Sequence, residues 1–385
     1  MITHRERVRK ALNHEKTDRV PIDIGGSLDT TLNEQTYKNL KKYIGQSEEK
    51  YDYAIFWENA VYPDENLQKF LDVDVRAIHL PDRSSSYKIH KNPDGSKWYK
   101  DEYGVVRKKS TKSVYFDLVE APLKGELTKK KIDDFNWPKT DPLQLKKDIK
   151  KVGIRAKYLY EKTDYAILAS LNIAPATLTQ ILRGFSEWSM DIMDKPILIE
   201  ALMERYVDVN LEILIEFYKE VGKYCDVAYF LADDLATQTG LWLSPDIYRK
   251  YVKKQHKRVI DTIKKYTNAK IMFHCCGAAS ALLPDFIENG IEIFNPVQVS
   301  AKGMDSKMLK REFGKYLTFW GGIDTQRVMP FGSPNDVRRE VFQRINDFTE
   351  GGGGYVLNAV HNILPEVPPE NILAMVEAGK DWSYK

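Results

Sequence analysis

Eight short apolar segments, separated by longer helical patterns, are the feature that most constrains how this chain can fold. They lack the polar alternation of half-exposed strands, as expected for parallel strands that are buried on both faces. Parallel strands joined by helices form an α/β sheet, and eight such units predict a (β/α)8 TIM barrel. The predicted strands are Val20–Ile24, Val73–Ile78, Tyr165–Leu171, Val227–Ala232, Ile271–Phe273, Glu292–Asn295, Leu317–Trp320 and Tyr355–Asn358.

The segments between the strands carry further signals of local structure. Ser244-Pro245 and Ser333-Pro334 each place an N-cap serine before a proline at the first helical position. Residues 81–141 interrupt the alternation, because they hold β-rich stretches around the turn Asn92–Gly95. We interpret residues 1–385 as a single barrel domain with a β-rich insertion at 81–141, after the second strand.

Composition and charge exclude several classes of protein. The chain is 43% hydrophobic and 29% charged, which is typical of globular proteins. Its net charge of +3 is too balanced to indicate a nucleic-acid partner, and no window approaches a transmembrane span. The N-terminus lacks the apolar core of a signal peptide. The cysteines are Cys225, Cys275 and Cys276, an odd number that makes a disulfide framework implausible. We therefore expect a cytoplasmic protein.

A His-x-Cys pair, His274 and Cys276, follows the fifth predicted strand. Side chains alternate along a strand, so both should point into the mouth of the barrel, where TIM barrels place their active sites. Imidazole nitrogen and thiolate sulfur are good ligands for zinc and poor ones for magnesium or calcium. His361, after the last strand, is the best third candidate, and three protein ligands with an open position describe a catalytic zinc. The pair alone leaves open that the cysteine only packs.

The ends of the other predicted strands are also polar, although a barrel needs only apolar packing there. Asp233 and Asp234, the candidate catalytic residues, could bind the metal, orient an imidazole or act as a general acid. They could equally cap the following turn, and neighbouring glycines could simply permit tight turns. The candidate cofactor-binding residues are Asn295, Gln298, Gly321, Gly322 and Asp324.

Taken in order, these motifs resemble the uroporphyrinogen decarboxylase superfamily, and the resemblance covers nearly the whole chain. The superfamily fold is a (β/α)8 barrel, which agrees with the independent strand count. The segments that carry the resemblance are Arg5–Val8, Asp18–Pro21, Asp233-Asp234, Leu243–Pro245, His274–Gly277, Asn295–Gln298, Ala301–Asp305, Phe319–Gln326, Gly353–Tyr355, His361–Ile363 and Pro369–Ile372.

The resemblance implies one of two chemistries. The decarboxylases need no metal or cofactor, and they bind the carboxylates of a porphyrinogen with an Arg-Gln-Ala-Gly-Arg motif near the N-terminus. This chain instead reads Ile24–Asp29 after its first strand, which argues against that reaction. The other branch holds corrinoid-dependent methyltransferases of the methylcobamide:coenzyme M and demethylase types. Those for coenzyme M bind zinc through His-x-Cys and a last-strand cysteine. His274 and Cys276 match the pair, whereas His361 stands near the missing cysteine.

The resemblance therefore predicts a zinc-dependent methyltransferase. It would move a methyl group between a small methylated substrate, or a thiol, and a corrinoid that a partner protein supplies. A cofactor-free decarboxylase of the uroporphyrinogen type is the alternative, for which Arg183, Lys302 and Arg327 are the only obvious loop cations. A third reading is a non-catalytic barrel that binds a corrinoid or a metallophore. The sequence also leaves a homodimer open.

Overall fold

A curled parallel sheet of seven strands, covered by helices, organises the computed structural model, which describes residues 2–138 and 141–383. In chain order the strands are β1 (Leu32–Asn33), β2 (Tyr53–Ile55), β3 (Ala60–Val61), β4 (Val75–His79), β5 (His90–Lys91), β6 (Lys97–Lys100), β7 (Val106–Lys109), β8 (Asp117–Glu120), β9 (Ala166–Ser170), β10 (Val227–Ala232), β11 (Lys270–His274), β12 (Ile293–Asn295), β13 (Thr318–Trp320) and β14 (Tyr355–Val356). The barrel sheet has the order β14-β13-β12-β11-β10-β9-β4. This confirms the predicted α/β barrel.

The segment around Ile22 takes the eighth position between β14 and β4. Ile22 forms a parallel bridge with Leu357, and its carbonyl accepts a hydrogen bond from the backbone N–H of Asp74. The predicted strand Val20–Ile24 is thus reduced to one bridge. Pro21 has no N–H to donate, and the N–H of Ile22 binds the Asp74 carboxylate instead of a neighbouring strand.

The helices cover the outer face of the barrel sheet. The N-cap serines act as predicted, since Ser244 accepts a hydrogen bond from Ile247 and Ser333 forms a capping box with Asp336. The helices are α1 (His4–Leu12), α2 (Glu34–Tyr43), α3 (Glu65–Leu71), α4 (Lys129–Asp133), α5 (Pro142–Lys162), α6 (Pro175–Arg183), α7 (Phe185–Asp194), α8 (Pro196–Val221), α9 (Pro245–Ile247), α10 (Lys253–Lys264), α11 (Leu283–Asn289), α12 (Ser306–Phe313), α13 (Val328–Phe331), α14 (Pro334–Thr349) and α15 (Pro369–Asp381). In the part of the chain that the structure describes, no helix combines the length and the apolar character needed to cross a bilayer.

Short helical turns complete the chain. A π-helical turn joins α9 to α10 at Tyr248–Val252, and 3-10 turns lie at Phe56–Glu58, Ser84–Ser86 and Ser280–Leu282. The turn at Phe56–Glu58 matters most for the site, because it places Trp57 and Glu58 beside the barrel mouth.

Two apolar layers pack on opposite faces of the barrel strands. On β11, Met272 belongs to the cluster inside the barrel, whereas Ile271 and Phe273 belong to the cluster between the sheet and the helices. Because side chains alternate, His274 continues on the same side as Met272 and points inward. This alternation decides which residues after a strand face the mouth.

Two smaller antiparallel sheets lie outside the barrel. Strands β5-β6-β7-β8 form a meander within residues 90–120, in the segment that the sequence analysis assigns to an insertion. It is attached to the rim, where the N–H of Phe116 donates to the carbonyl of Trp57 at 2.7 Å. Strands β1-β3-β2 form a second sheet that the sequence analysis did not predict. Its strands of two or three residues are too short to leave a periodic pattern.

A buried carboxylate, Asp74, ties the N-terminal segment to β4. It is fully buried and accepts hydrogen bonds from Arg7 at 2.6 Å, from Arg19 at 2.7 Å and from the backbone N–H of Ile22 at 2.7 Å. Burial alone would raise the pKa of Asp74, but the hydrogen bond from His4 and the charges of Arg19 and Arg7 hold that pKa below its ordinary value. Asp74 therefore anchors α1 and the bridge that closes the barrel.

We expect Asp74→Asn to lower the free energy of unfolding by about 3–5 kcal/mol at neutral pH, because it removes the buried charge that Arg7 and Arg19 share and leaves them only the more exposed Asp18 and Asp72. The folded pKa of Asp74 is lowered, so its stabilising contribution is complete above the unfolded value of 3.8 and is lost as pH falls through the folded pKa. Urea unfolding of both proteins across this acidic range measures the effect.

Asp72→Asn is the matched control, because Asp72 also contacts Arg19 but its side chain is 45% exposed. It should cost less than about 1 kcal/mol. Equal losses in the two variants would contradict the role assigned to Asp74.

Candidate metal centre

His274, Cys276 and His361 meet at the mouth of the barrel. One donor atom from each lies within 4.8 Å of the other two. His274 ends β11, Cys276 follows two residues later, and His361 follows β14. The Nε2 of His274 is 3.4 Å from the Sγ of Cys276, and the two imidazole rings are 5.3 Å apart in an edge-on arrangement. The structure thus brings together the three predicted metal ligands.

Asn295, at the end of β12, orients the imidazole of His274. Its Oδ1 lies 2.7 Å from the Nδ1 of His274, and its Nδ2 donates to the carbonyl of Trp320 at 3.0 Å. The bond to Trp320 identifies Oδ1 as the acceptor, so the Nδ1 of His274 carries the proton. The lone pair of Nε2 is then free to face Cys276, as a metal-binding histidine requires.

Asp29 is a site residue that the sequence analysis did not assign. Its carboxylate is buried and lies 3.6 Å from the Nδ1 of His274 and 3.6 Å from the Nε2 of His361. It also accepts a hydrogen bond from the hydroxyl of Tyr229, which projects from β10. Asp29 follows the predicted first strand, so the rule that selected polar residues after the other strands would have found it.

Carboxylates surround the thiol of the cluster. Asp234 accepts a hydrogen bond from the N–H of Cys276 at 2.7 Å and lies 3.9 Å from the Nε2 of His274. Burial, with the charges of Asp234 and Asp29, holds the pKa of Cys276 well above its ordinary value. Burial also raises the pKa of Glu58. The charge of Asp29 raises this pKa further, whereas the nearby His361 lowers it. The surroundings therefore favour a bound cation.

The donor set fits zinc. Two imidazole nitrogens and one thiolate sulfur are typical ligands of a catalytic zinc, which keeps a fourth position open. Bond lengths of about 2.0 and 2.3 Å place the N and S ligands of a tetrahedral zinc roughly 3.5 Å apart. The separation between Nε2 of His274 and Sγ of Cys276, 3.4 Å, already matches this value. Magnesium and calcium prefer oxygen ligands and fit less well.

The two predicted catalytic aspartates lie in different places. Asp234 lies beside the cluster with its side chain 52% exposed. Asp233 is fully buried and accepts hydrogen bonds from the N–H groups of Ala176 and Thr177, in the first turn of α6, and from His256 on α10. The structure thus brings Asp234, and not Asp233, to the cluster, as expected for adjacent residues at a strand end.

The predicted cofactor-binding residues other than Asn295 shape the rim. The side chain of Gln298 accepts from the N–H of Gly277 at 2.6 Å and lines the mouth. Gly321 and Gly322 have φ values of +97° and +115°, which residues with a side chain rarely adopt. Asp324 accepts from the N–H groups that follow it, at 2.6 and 3.2 Å, and so caps the turn before α13. These features shape the loops at the rim, and the part of Gly321, Gly322 and Asp324 in binding a cofactor stays a prediction.

A cavity of about 720 Å³ opens from the cluster to the outside. Cys276 and His361 line it on the barrel side, and Trp57, Arg107 and Phe116 line it from the neighbouring turn and meander. Its volume is within the usual range for small-molecule sites, so the cluster is reachable by a small substrate.

We expect Asn295→Ala to weaken zinc binding by roughly 10- to 100-fold, because His274 loses the partner that fixes its tautomer. Competition with a chromophoric chelator measures the affinity. Gln298→Ala is the control, since Gln298 is at the same rim but binds Gly277. An unchanged affinity in Asn295→Ala, or an equal loss in both variants, would contradict this role of Asn295.

Known proteins that are similar to this chain include both decarboxylases and methyltransferases. The uroporphyrinogen decarboxylase of Prochlorococcus marinus (strain MIT 9515) is 25% identical over 191 residues, or 49% of this chain and 53% of that protein. The methylated-thiol–coenzyme M methyltransferase of Methanosarcina mazei is 24% identical over 176 residues, or 46% and 44%. The methylcobamide:CoM methyltransferase MtaA of Methanosarcina barkeri is 24% identical over 211 residues, or 54% and 56%. The chain thus spans about half the length of these curated relatives.

A solved structure and a family profile cover more of the chain. A methyltransferase from Methanosarcina mazei superposes with a TM-score of 0.65 over 99% of each chain at 16% sequence identity, which shows a shared fold. The profile of the family described as uroporphyrinogen decarboxylase (URO-D) matches residues 124–382. This chain belongs to the uroporphyrinogen decarboxylase (URO-D) family.

Proposed function

We propose that this protein is a zinc-dependent methyltransferase that moves a methyl group between a small methylated substrate, or a thiol, and a corrinoid carried by a partner protein. The observation that carries the proposal is the meeting of His274, Cys276 and His361 at the barrel mouth. The named methyltransferases among the relatives support a role in methyl transfer.

The three side chains would hold the metal through the Nε2 of His274, the Sγ of Cys276 and an imidazole nitrogen of His361. When bound, zinc acts as a Lewis acid that polarises a substrate heteroatom or keeps a thiol as its thiolate. A set with two imidazoles and one thiolate is less electron-rich than one with two thiolates. This difference favours a methylated oxygen or nitrogen compound as the substrate over a thiol.

The remaining polar residues have separate tasks in this proposal. Asp29 lies between the two imidazoles and is held by Tyr229, so it keeps both rings in position. Asp234 reaches from the cluster to solvent, since half of its side chain is exposed. It is therefore placed to pass a proton from solvent to the oxygen or nitrogen that loses its methyl group.

A corrinoid must approach the substrate from outside the barrel. The cavity that holds Cys276 and His361 is open, and Phe331 at its edge is 79% exposed. The proposed partner would dock against this open mouth, with the substrate between the corrinoid and the cluster.

A cofactor-free decarboxylase is the second candidate, because decarboxylases are among the relatives. Binding of a porphyrinogen with several carboxylates would need free cations at the mouth. Arg183 is already paired with Glu187 at 2.5 Å and with Asp191 at 2.8 Å. Lys302 and Arg327 are exposed on loops. This pairing makes Arg183 unavailable to a porphyrinogen carboxylate. Methyl transfer remains the first proposal because a cluster such as His274, Cys276 and His361 has no task in a cofactor-free decarboxylation.

We expect the purified, dialysed protein to contain about one zinc per chain, as one tetrahedral site requires. His274→Ala and Cys276→Ser should each lose the zinc and abolish methyl transfer from methylated oxygen or nitrogen compounds to added cob(I)alamin. Elemental analysis and the absorbance of methylcobalamin measure the two outcomes.

Cys225→Ser is the matched control for the loss of a thiol. Cys225 lies just before β10, at the end of the strand opposite to the mouth, and contacts Thr267. This variant should keep both zinc and activity. Absence of zinc from the unaltered protein, with no uptake of added zinc, would contradict the proposal and favour the decarboxylase. Zinc without turnover of any donor would instead favour a non-catalytic binding barrel.

A further inference from the structure

We infer that Arg107 recognises a carboxylate group of the substrate, so that the methylated compound bound at the mouth is an anion. The inference rests on the proposed function, which supplies the premise that the substrate carries a methyl group to be transferred. It adds that this methylated compound also carries a carboxylate. It comes from the surroundings of Arg107 on β7, a residue that the sequence analysis did not single out.

Arg107 is a buried cation that has no ion-pair partner among the residues that the structure describes. Its relative exposure is 5%, and it forms no ion pair within residues 2–138 and 141–383. In the described part of the chain, its guanidinium makes one hydrogen bond, from Nη1 to the carbonyl of Phe116 at a long 3.5 Å, and its Nε has no partner there. The guanidinium lies over the ring of Trp57, 4.5 Å from its centre.

Such an arrangement is unfavourable unless a ligand completes it. Buried charged groups are normally paired and hydrogen-bonded, because desolvation penalises the charged form. Burial lowers the pKa of Arg107, yet arginine remains protonated in proteins. The aromatic contact with Trp57 stabilises the cation but satisfies none of its N–H groups. The free donors therefore indicate an anionic group that binds here.

The cavity connects Arg107 to the metal-binding cluster. Arg107, Cys276 and His361 line the same space of about 720 Å³. One small molecule can therefore reach the guanidinium with one end and the cluster with the other. Trp57 and Phe116 form aromatic walls beside Arg107, which favours an apolar or aromatic body between the two ends.

The charge of the cavity disfavours ligands that carry several negative charges. A guanidinium fork binds the two oxygens of a carboxylate in parallel. Glu58, Asp117 and Glu366 line the same cavity and repel anions in proportion to their charge, so a ligand with one negative charge is opposed less than one with several. Asp101 and Glu58 attract Arg107 from a distance, but no ion pair within 4 Å joins either of them to it, and the Glu58 carboxylate accepts a hydrogen bond from Asn362 at 3.3 Å.

Binding of matched acids and amides to the zinc-loaded protein tests the inference without turnover. The probes are 4-methoxybenzoate with 4-methoxybenzamide, and methoxyacetate with methoxyacetamide. For at least one pair we expect the acid to bind on the order of 10- to 100-fold more tightly than the amide, the range for a hydrogen bond to a charged group. Arg107→Gln should remove this preference and leave amide binding unchanged, and isothermal titration calorimetry measures each affinity.

Two further variants separate recognition from a structural role. Lys108→Gln removes a positive charge from the next position of β7, whose side chain points to the other face, and should keep the preference. Arg107→Lys keeps the positive charge but loses the two parallel N–H donors of the guanidinium, so it should retain only part of the preference for the acid. If no acid binds more tightly than its amide, or if Arg107→Gln weakens acid and amide equally while lowering the melting temperature, the inference is wrong.

Zinc content, measured on the same samples, keeps the two proposals distinguishable. Bound zinc without any acid preference would overturn the role of Arg107 and leave the methyltransferase proposal intact. An acid preference that depends on Arg107 in a protein that binds no zinc would support carboxylate recognition and contradict the zinc-dependent reaction.

Discussion

Closure of the parallel sheet is the constraint on which the site depends. His274 follows β11, His361 follows β14 and Asp29 follows the segment that bridges β14 to β4. Only a curled and closed sheet brings these distant parts of the chain to one rim. The closing contact is small, a single bridge between Ile22 and Leu357, and the buried carboxylate of Asp74 holds the same segment through the N–H of Ile22. The N-terminal ion pairs and the mouth of the barrel are therefore parts of one arrangement.

The electrostatics of the mouth divide into two regions. Near the barrel axis, Asp29 and Asp234 accompany two histidines and a thiol, a set that is suited to a bound cation. Across the cavity, the meander contributes a buried guanidinium that is suited to an anion. A substrate with a metal-binding group at one end and a negative charge at the other would be oriented by these regions before any reaction. Each end would have only one favourable place to bind.

The sequence predicted the barrel and its ligand trio from simple regularities. Unbroken apolar runs indicated parallel strands, and a period of two placed His274 and Cys276 on the same face. The same regularity could not decide between Asp233 and Asp234, because a bulge in β10 obscures which of them faces inward. It also missed Asp29 and Arg107. Asp29 follows the predicted first strand, where the rule used for the other strands would have found it, whereas Arg107 lies in a meander whose position over the mouth no local pattern encodes.

The sequence by itself determined the architecture and the chemical type of the candidate site. Apolar runs indicate which strands are buried, and the types and short spacing of His274 and Cys276 indicate which metal they could bind. Only the tertiary structure decided which groups meet. The hydrogen bond that orients His274 toward Cys276 comes from Asn295, on the next strand. Asp29 approaches His361 across more than three hundred residues of chain. Such contacts depend on the closure and stagger of the whole sheet, which arise from the packing of all its strands rather than from any one segment.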